Sequence, residues 1–316
     1  MDKRAQLEQW TTLVADTGDL DRIAELGPED ATTNPSLLLA AARQPRYQHL
    51  LQQARELCAD LGHAGELDWL TDTYACLAGQ AVLERIPGLV STEVDARLSF
   101  DTRATIEKAR RLIALYRELE VDPARILIKV AATWEGIRAV EVLEEEGIRC
   151  NVTLVFCPAQ ALAAAEAGAT LISPFVGRIA DWHAKHGQPW NEAHDDPGVQ
   201  SVRTIYHQFK ARGLETIVMG ASFRNTGQIE ALAGCDRLTI SPALLGELSA
   251  DPAPLTRVLD SEAVEPACDW QPILEAAFRW QLNNNAMATE LLADGIRRFA
   301  ADQQALEVLL TEEISL

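Results

Sequence analysis

Eight short apolar runs separated by helical stretches are the feature that most limits what this chain can fold into. The runs lie near residues 12–16, 29–33, 88–94, 125–130, 150–156, 170–176, 215–221 and 237–241. Between most of them, apolar residues recur on a helical period. Leu37, Leu38, Ala41 and Ala42 open one such pattern, and Leu50, Leu51, Ala54 and Leu57 lie on its continuation. Ile106, Ala109, Leu112, Ile113 and Tyr116 keep the same spacing, and Ile137, Val140, Val142 and Leu143 keep it more loosely. Strands that alternate with helices form a parallel sheet buried on both faces. Eight such units favour closure into a barrel over an open sheet. The open sheet would carry a glycine-rich phosphate loop after a strand, and neither GxGxxG nor GxxxxGKS/T follows a strand here.

A barrel of this kind takes about 250 residues, and the chain has 316. The expected fold is α/β: a single (β/α)8 TIM barrel spanning residues 1–316, with extra N-terminal and C-terminal helices. One extra helix is expected across 3–11. The segment 36–87 has room for two helices. The stretch 177–199 is polar, with 181–197 reading as a solvated loop, and the tail from 270 to 311 reads as two helices broken at Asn283-Asn284-Asn285. No linker or composition shift divides the chain.

The net charge of −19 speaks against nucleic acid or an anionic membrane as partner, since both need a basic surface. No stretch approaches the roughly 18 uninterrupted apolar residues of a spanning helix, and residues 1–10 carry no apolar signal core. A cytoplasmic, soluble protein is expected. Cys58, Cys76, Cys150, Cys157, Cys235 and Cys268 form no CxxC pair and read as free thiols. His183, His186 and His194 with Asp181 could be imagined as metal ligands, but their polar surroundings read as loop, and no metal site is expected.

In such barrels the chemistry sits at the C-terminal ends of the strands. Here those ends carry Asp16, Asn34, Glu93 and Asp95, Lys129, Asn151 and Thr153, Ser173 and Phe175, then Arg178, Ser222 and Arg224. Side chains alternate along a strand, so Leu127 and Lys129 share a face, as do Glu93 and Asp95, and Asn151 and Thr153. If those faces point inward, acids, amides, hydroxyls and one amine converge. A lysine in water has a pKa of about 10.4, and apolar burial disfavours its charged form. The free amine can then attack a carbonyl and form a Schiff base, an electron sink for an adjacent C–C bond. Asp16 or Glu93 could move the protons. A lysine merely neutralised by Glu93 or Asp95 is the structural alternative. Arg178 and Arg224, with Ser222, have the guanidinium forks of a phosphate clamp; taken singly, each could be a surface salt bridge.

The segments that carry these residues resemble a known family. They are Val14–Asp19, Asp30–Ser36, Ser91–Arg97, Ile126–Lys129, Cys150–Leu154, Ile172–Arg178, Met219–Asn225 and Gly234–Thr239. Together, and in this order, they resemble the transaldolases, the longer group rather than the shorter fructose-6-phosphate aldolase-like one. The resemblance implies transfer of a dihydroxyacetone unit from sedoheptulose 7-phosphate to glyceraldehyde 3-phosphate. The products are erythrose 4-phosphate and fructose 6-phosphate, within the non-oxidative pentose phosphate pathway. It implies no metal and no organic cofactor.

It also implies roles. Lys129 is the Schiff-base nucleophile and Asp16 the acid–base at C–C cleavage. Glu93 with Thr153 holds the water of carbinolamine formation and dehydration. Asn34, Asn151 and Ser173 bind the dihydroxyacetone hydroxyls, and Arg178, Ser222 and Arg224 the phosphate. Phe175 stands where free-ketone aldolases of the family tend to carry tyrosine. The family commonly forms homodimers, and the helix at 286–311 could pack on a partner or cap its own barrel. Two other readings stay open: a class I aldolase releasing free dihydroxyacetone, and an inactive sugar-phosphate-binding protein.

Overall fold

In the computed structural model, which describes residues 1–267 and 271–312, the eight runs become eight parallel strands. They are β1 (Thr12–Asp16), β2 (Asp30–Thr32), β3 (Val90–Glu93), β4 (Ile126–Ala131), β5 (Cys150–Val155), β6 (Leu171–Pro174), β7 (Ile217–Gly220) and β8 (Arg237–Ile240). Neighbours pair in sequence order and β8 returns to β1, closing the barrel. The expected (β/α)8 fold is the one found. Cys268 lies outside the described residues; the other five cysteines are free and buried.

The helices are α1 (Lys3–Leu7), α2 (Leu20–Leu26), α3 (Pro35–Ala42), α4 (Gln48–Asp60), α5 (Leu67–Leu83), α6 (Thr102–Glu118), α7 (Trp134–Glu145) and α8 (Pro158–Glu166). Then come α9 (Gly177–Lys185), α10 (Pro197–Ala211), α11 (Thr226–Glu230), α12 (Pro242–Ala250), α13 (Glu275–Asn283) and α14 (Ala286–Glu312). Among the described residues, no helix is long and apolar enough to cross a membrane.

Three expectations need correction. The segment 36–87 holds three helices rather than two, because Pro45 cannot continue α3 and opens a short 3-10 turn before α4. The stretch 181–197 is not a loop throughout. It begins inside α9, whose buried face is only Gly177, Ile179 and Ala180, too few apolar residues to show against its charged ones. The turn signals act just beyond, at Gly187 and Pro189, and α10 starts at Pro197 with Asp196 as its cap. The N-terminal helix stops at Leu7 instead of 11. The break at Asn283–Asn285 is where expected, between α13 and α14.

Alternation along the strands sorts the side chains into two environments. On β4, Ile126, Ile128 and Val130 face outward into the core between sheet and helices. Leu127 faces the barrel axis, where it meets Val14, Leu171 and Met219 in an apolar plug. Two residues further along each of these strands stand Lys129, Asp16, Ser173 and Ala221. The plug therefore excludes water from below, and the next layer up is the polar one. Over the mouth lies α14. Its residues Ala288, Leu292, Ile296 and Phe299 pack on Phe156 and Phe175, and a Ser36 hydroxyl donates to the Asp302 carboxylate to tie it to α3.

Candidate active site

Strand register sets the first distances. Glu93 is the β3 partner of Lys129, and Asn151 its β5 partner. Lys129 is 6% exposed. Its Nζ lies 3.6 Å from Glu93 Oε2 and donates to the Thr33 carbonyl at 3.4 Å. The Glu93 contact is an ion pair longer than a good hydrogen bond. Glu93 Oε2 and Thr153 Oγ1 are buried without a hydrogen-bond partner among the described residues. Burial pushes the Glu93 carboxyl up to about 7, against the pull of Lys129.

Asp95 does not share this pocket. Its carboxylate accepts from the Arg97 backbone N–H at 2.8 Å and pairs with the Arg97 guanidinium. The chain leaves β3 after Glu93 and turns into a short 3-10 helix that Asp95 caps, so the strand alternation linking the two acids ends before it reaches Asp95.

Asp16 faces Lys129 from β1. Burial raises its carboxyl above the ordinary aspartate value, opposed by the charges of Lys129 and Arg178 and by the Thr32 hydroxyl, whose oxygen is 3.5 Å away. Between these groups lies a cavity of about 190 Å³, lined among others by Asp16, Asn34, Lys129, Ser173, Phe175, Arg178 and Ser222. Asn34 Oδ1 caps α3 by accepting from Leu37 N at 2.9 Å, which fixes the amide and leaves its N–H2 for the cavity. The Asn151 carboxamide lies deeper: it donates to Ser91 Oγ at 3.0 Å and accepts from Ser173 Oγ at 2.7 Å. It orients Ser173, which lines the cavity itself.

At the outer edge the two arginines come together. The Arg178 guanidinium stacks on Phe175 and Phe299, at 4.9 and 5.6 Å from the ring centroids. Burial and the nearby Arg298 and Arg224 charges lower its pKa. Arg224 is held by Asp181 Oδ2 at 2.8 Å and by Ser222, whose carbonyl and hydroxyl both accept from its Nη1 at 3.2 Å. Ser222 adopts a φ of 64°. Its carbonyl also accepts from Gly177 N at 2.8 Å, so close that a Cβ on Gly177 would sit 2.2 Å from it. Arg178 and Arg224 also line a larger groove of about 580 Å³ that opens to solvent between α9 and α14. The arrangement is a buried amine, two acids with raised pKa values and a cationic outlet.

The sequence reading missed Thr32, Ser36, Thr239 and Phe299, all of which line the inner cavity. Thr32 was signalled by its place at a strand end. Phe299 was not, because on the apolar stripe of a helix it looks like any core residue. His183 sits on α9 and His186 is the residue at its C-terminal cap, where it stacks on Trp182 with ring centroids 3.8 Å apart. Among the described residues, no three His, Cys, Asp or Glu side chains are grouped to hold a metal ion.

Comparison with known proteins agrees with this geometry. Residues 13–310 match the family model described as transaldolase/fructose-6-phosphate aldolase. A transaldolase of Marinobacter nauticus is 59% identical over 308 residues, 96% of each chain. One of Stutzerimonas stutzeri is 56% identical over 98% of each chain. One of Bos taurus is 56% identical over 98% of this chain and 93% of its own. With a closed eight-stranded barrel, a buried strand-four lysine and matches of this length, the chain belongs to the transaldolase/fructose-6-phosphate aldolase family.

Proposed function

We infer that the chain is a transaldolase, a transferase that moves a dihydroxyacetone unit from sedoheptulose 7-phosphate to glyceraldehyde 3-phosphate. The observation that carries this reading is Lys129, a buried amine 3.6 Å from the Glu93 carboxyl on a cavity whose outer edge holds Arg178. Residues 1–316 act as one domain, and the chemistry needs no metal or organic cofactor. The reading includes a cytoplasmic location and a homodimer, and light scattering on the purified protein would test the dimer.

The Lys129 Nζ lone pair adds to the donor C2 carbonyl, giving a carbinolamine. Loss of water gives the protonated Schiff base. Glu93, with a carboxyl near 7, exchanges protons near neutrality, and with the Thr153 hydroxyl it holds the water that carries them. Asp16 takes the proton of the C4 hydroxyl as the C3–C4 bond breaks. The electron pair moves into the iminium, leaving an enamine on Lys129 and a free aldose phosphate. The acceptor aldehyde enters, the enamine attacks its carbonyl carbon, and Asp16 returns the proton to the new hydroxyl. Hydration then frees the ketose. Asn34 and Ser173 grip the three-carbon unit, with Asn151 holding Ser173. Arg178, Ser222 and Arg224 bind the phosphate, and their local charge offsets the −19 of the whole chain.

Phe175 supports transfer over release. Its ring offers no hydroxyl to activate water against the enamine, and it packs edge-on against Phe156 at 5.4 Å. With fructose 6-phosphate and erythrose 4-phosphate, coupled assays are expected to show sedoheptulose 7-phosphate and glyceraldehyde 3-phosphate forming in equal amounts. Free dihydroxyacetone accumulating at the turnover rate without an acceptor would overturn the transferase reading.

The raised Glu93 carboxyl carries its own prediction. Glu93 accepts a proton only when ionised, so kcat should rise with pH through about 7. Glu93→Gln should remove that limb and lower kcat by about 100-fold or more. A limb unchanged in the variant would assign it to another group.

A further inference from the structure

Gln160 is fully buried in the first turn of α8, behind the strand ends rather than in the cavity. Its Oε1 accepts from the backbone N–H groups of Phe156 at 2.8 Å and Cys157 at 3.2 Å. Its Nε2 donates to the Ala132 carbonyl at 2.9 Å and to the Leu154 carbonyl at 3.1 Å. Two donors at one end and two acceptors at the other fix the orientation of the amide. One side chain therefore joins the ends of β4 and β5 to the start of α8.

The carbonyl it holds belongs to an irregular residue. Leu154 has a φ of 57°, a conformation that L side chains with a branched carbon chain rarely adopt. The pairing of β5 with β6 shifts there: Val152 faces Ile172, but Val155 faces Pro174. One extra residue is thus accommodated, a bulge. Its effect is visible in the side chains. In a regular strand Thr153 and Leu154 would face opposite sides. Here Thr153 lines up with Ala131 on the inward side, and Leu154 joins Phe156, Phe175 and Phe299 over the barrel mouth. The Leu154 side chain fits there because α14 presents Gly295, where a Cβ would lie 2.7 Å from Leu154 Cδ2.

We propose that Gln160 is a positioning residue for the Schiff-base chemistry: by clamping the Leu154 bulge it aims the Thr153 hydroxyl at the water that Glu93 and Lys129 exchange. This rests on the role given to Thr153 above. No apolar side chain can replace the amide without leaving the four backbone groups unpaired in a dry interior. A displacement of Thr153 by a fraction of an ångström to one ångström acts on water transfer, not on substrate grip, since Asn34 caps α3, Ser173 stands on β6 and Arg178 on α9.

The test is a double-mutant cycle on the full chain with fructose 6-phosphate. The rate at which borohydride-trappable adduct appears after mixing is measured, together with the half-saturating substrate concentration. Gln160→Met should slow adduct formation by about 100-fold and change half-saturation by less than about threefold. In a Thr153→Val background the same substitution should cost less than about threefold more, because the hydroxyl it positions is gone. Losses that multiply, or an unaffected Gln160→Met, overturn the inference. Wild-type speed in Thr153→Val alone would instead overturn the reading of Thr153 on which it rests. If Gln160→Met does not fold by circular dichroism, Gln160→Glu takes its place in the same cycle. It keeps the accepting end and loses the donating one.

Discussion

Lys129→Ala is expected to abolish both turnover and covalent capture of the substrate. With fructose 6-phosphate and borohydride, the wild-type chain should gain mass on the peptide that contains Lys129, and the variant should gain none. The loss of kcat should be at least about 10,000-fold, equivalent to about 5.4 kcal/mol of barrier. Described residues elsewhere do not replace the amine: Lys108, the other buried lysine, is committed to Asp72 at 2.7 Å between α5 and α6. The variant should still fold, because Glu93 already has a carboxyl near 7 and takes up a proton readily once its counter-charge is removed. Retained labelling in Lys129→Ala would refute the Schiff-base assignment.

Asp16→Ala should separate the two halves of the reaction. In the proposed reaction adduct formation uses Lys129, Glu93 and Thr153, none of which is removed, so borohydride should still label Lys129. Cleavage needs the C4 hydroxyl proton to leave, and a positioned general base contributes about 100- to 10,000-fold to such a step. Turnover should fall by that factor while labelled enzyme accumulates. Loss of labelling in parallel with turnover would contradict the role given to Asp16.

Most of the barrel was legible because a parallel strand buried on both faces leaves an unbroken apolar run. The polar residues that interrupt those runs at their ends were legible for the same reason: Lys129 stands out after Ile126, Leu127 and Ile128. Asp95 was misplaced because alternation holds only while the strand lasts, and β3 ends at Glu93. The helix α9 was hidden by its thin apolar face. The roof was harder still. Ala288, Leu292, Ile296 and Phe299 recur on a helical period, but nothing in that period tells whether the stripe covers a barrel mouth or another chain. The bulge at Leu154 was out of reach, since its cause lies in four backbone groups gathered by a side chain from the next helix.

The position of α14 across the barrel mouth has a consequence for the order in which the protein is made. All eight strands and Lys129 leave the ribosome before residues 286–312 do. Until α14 docks, Phe299 is missing from the cavity wall and the Arg178 guanidinium lacks one of its two stacking rings. A nascent barrel thus carries Lys129 in a cup still open to water at its mouth. The cavity wall and the stacking around the Arg178 guanidinium are complete only when the final helix closes over them.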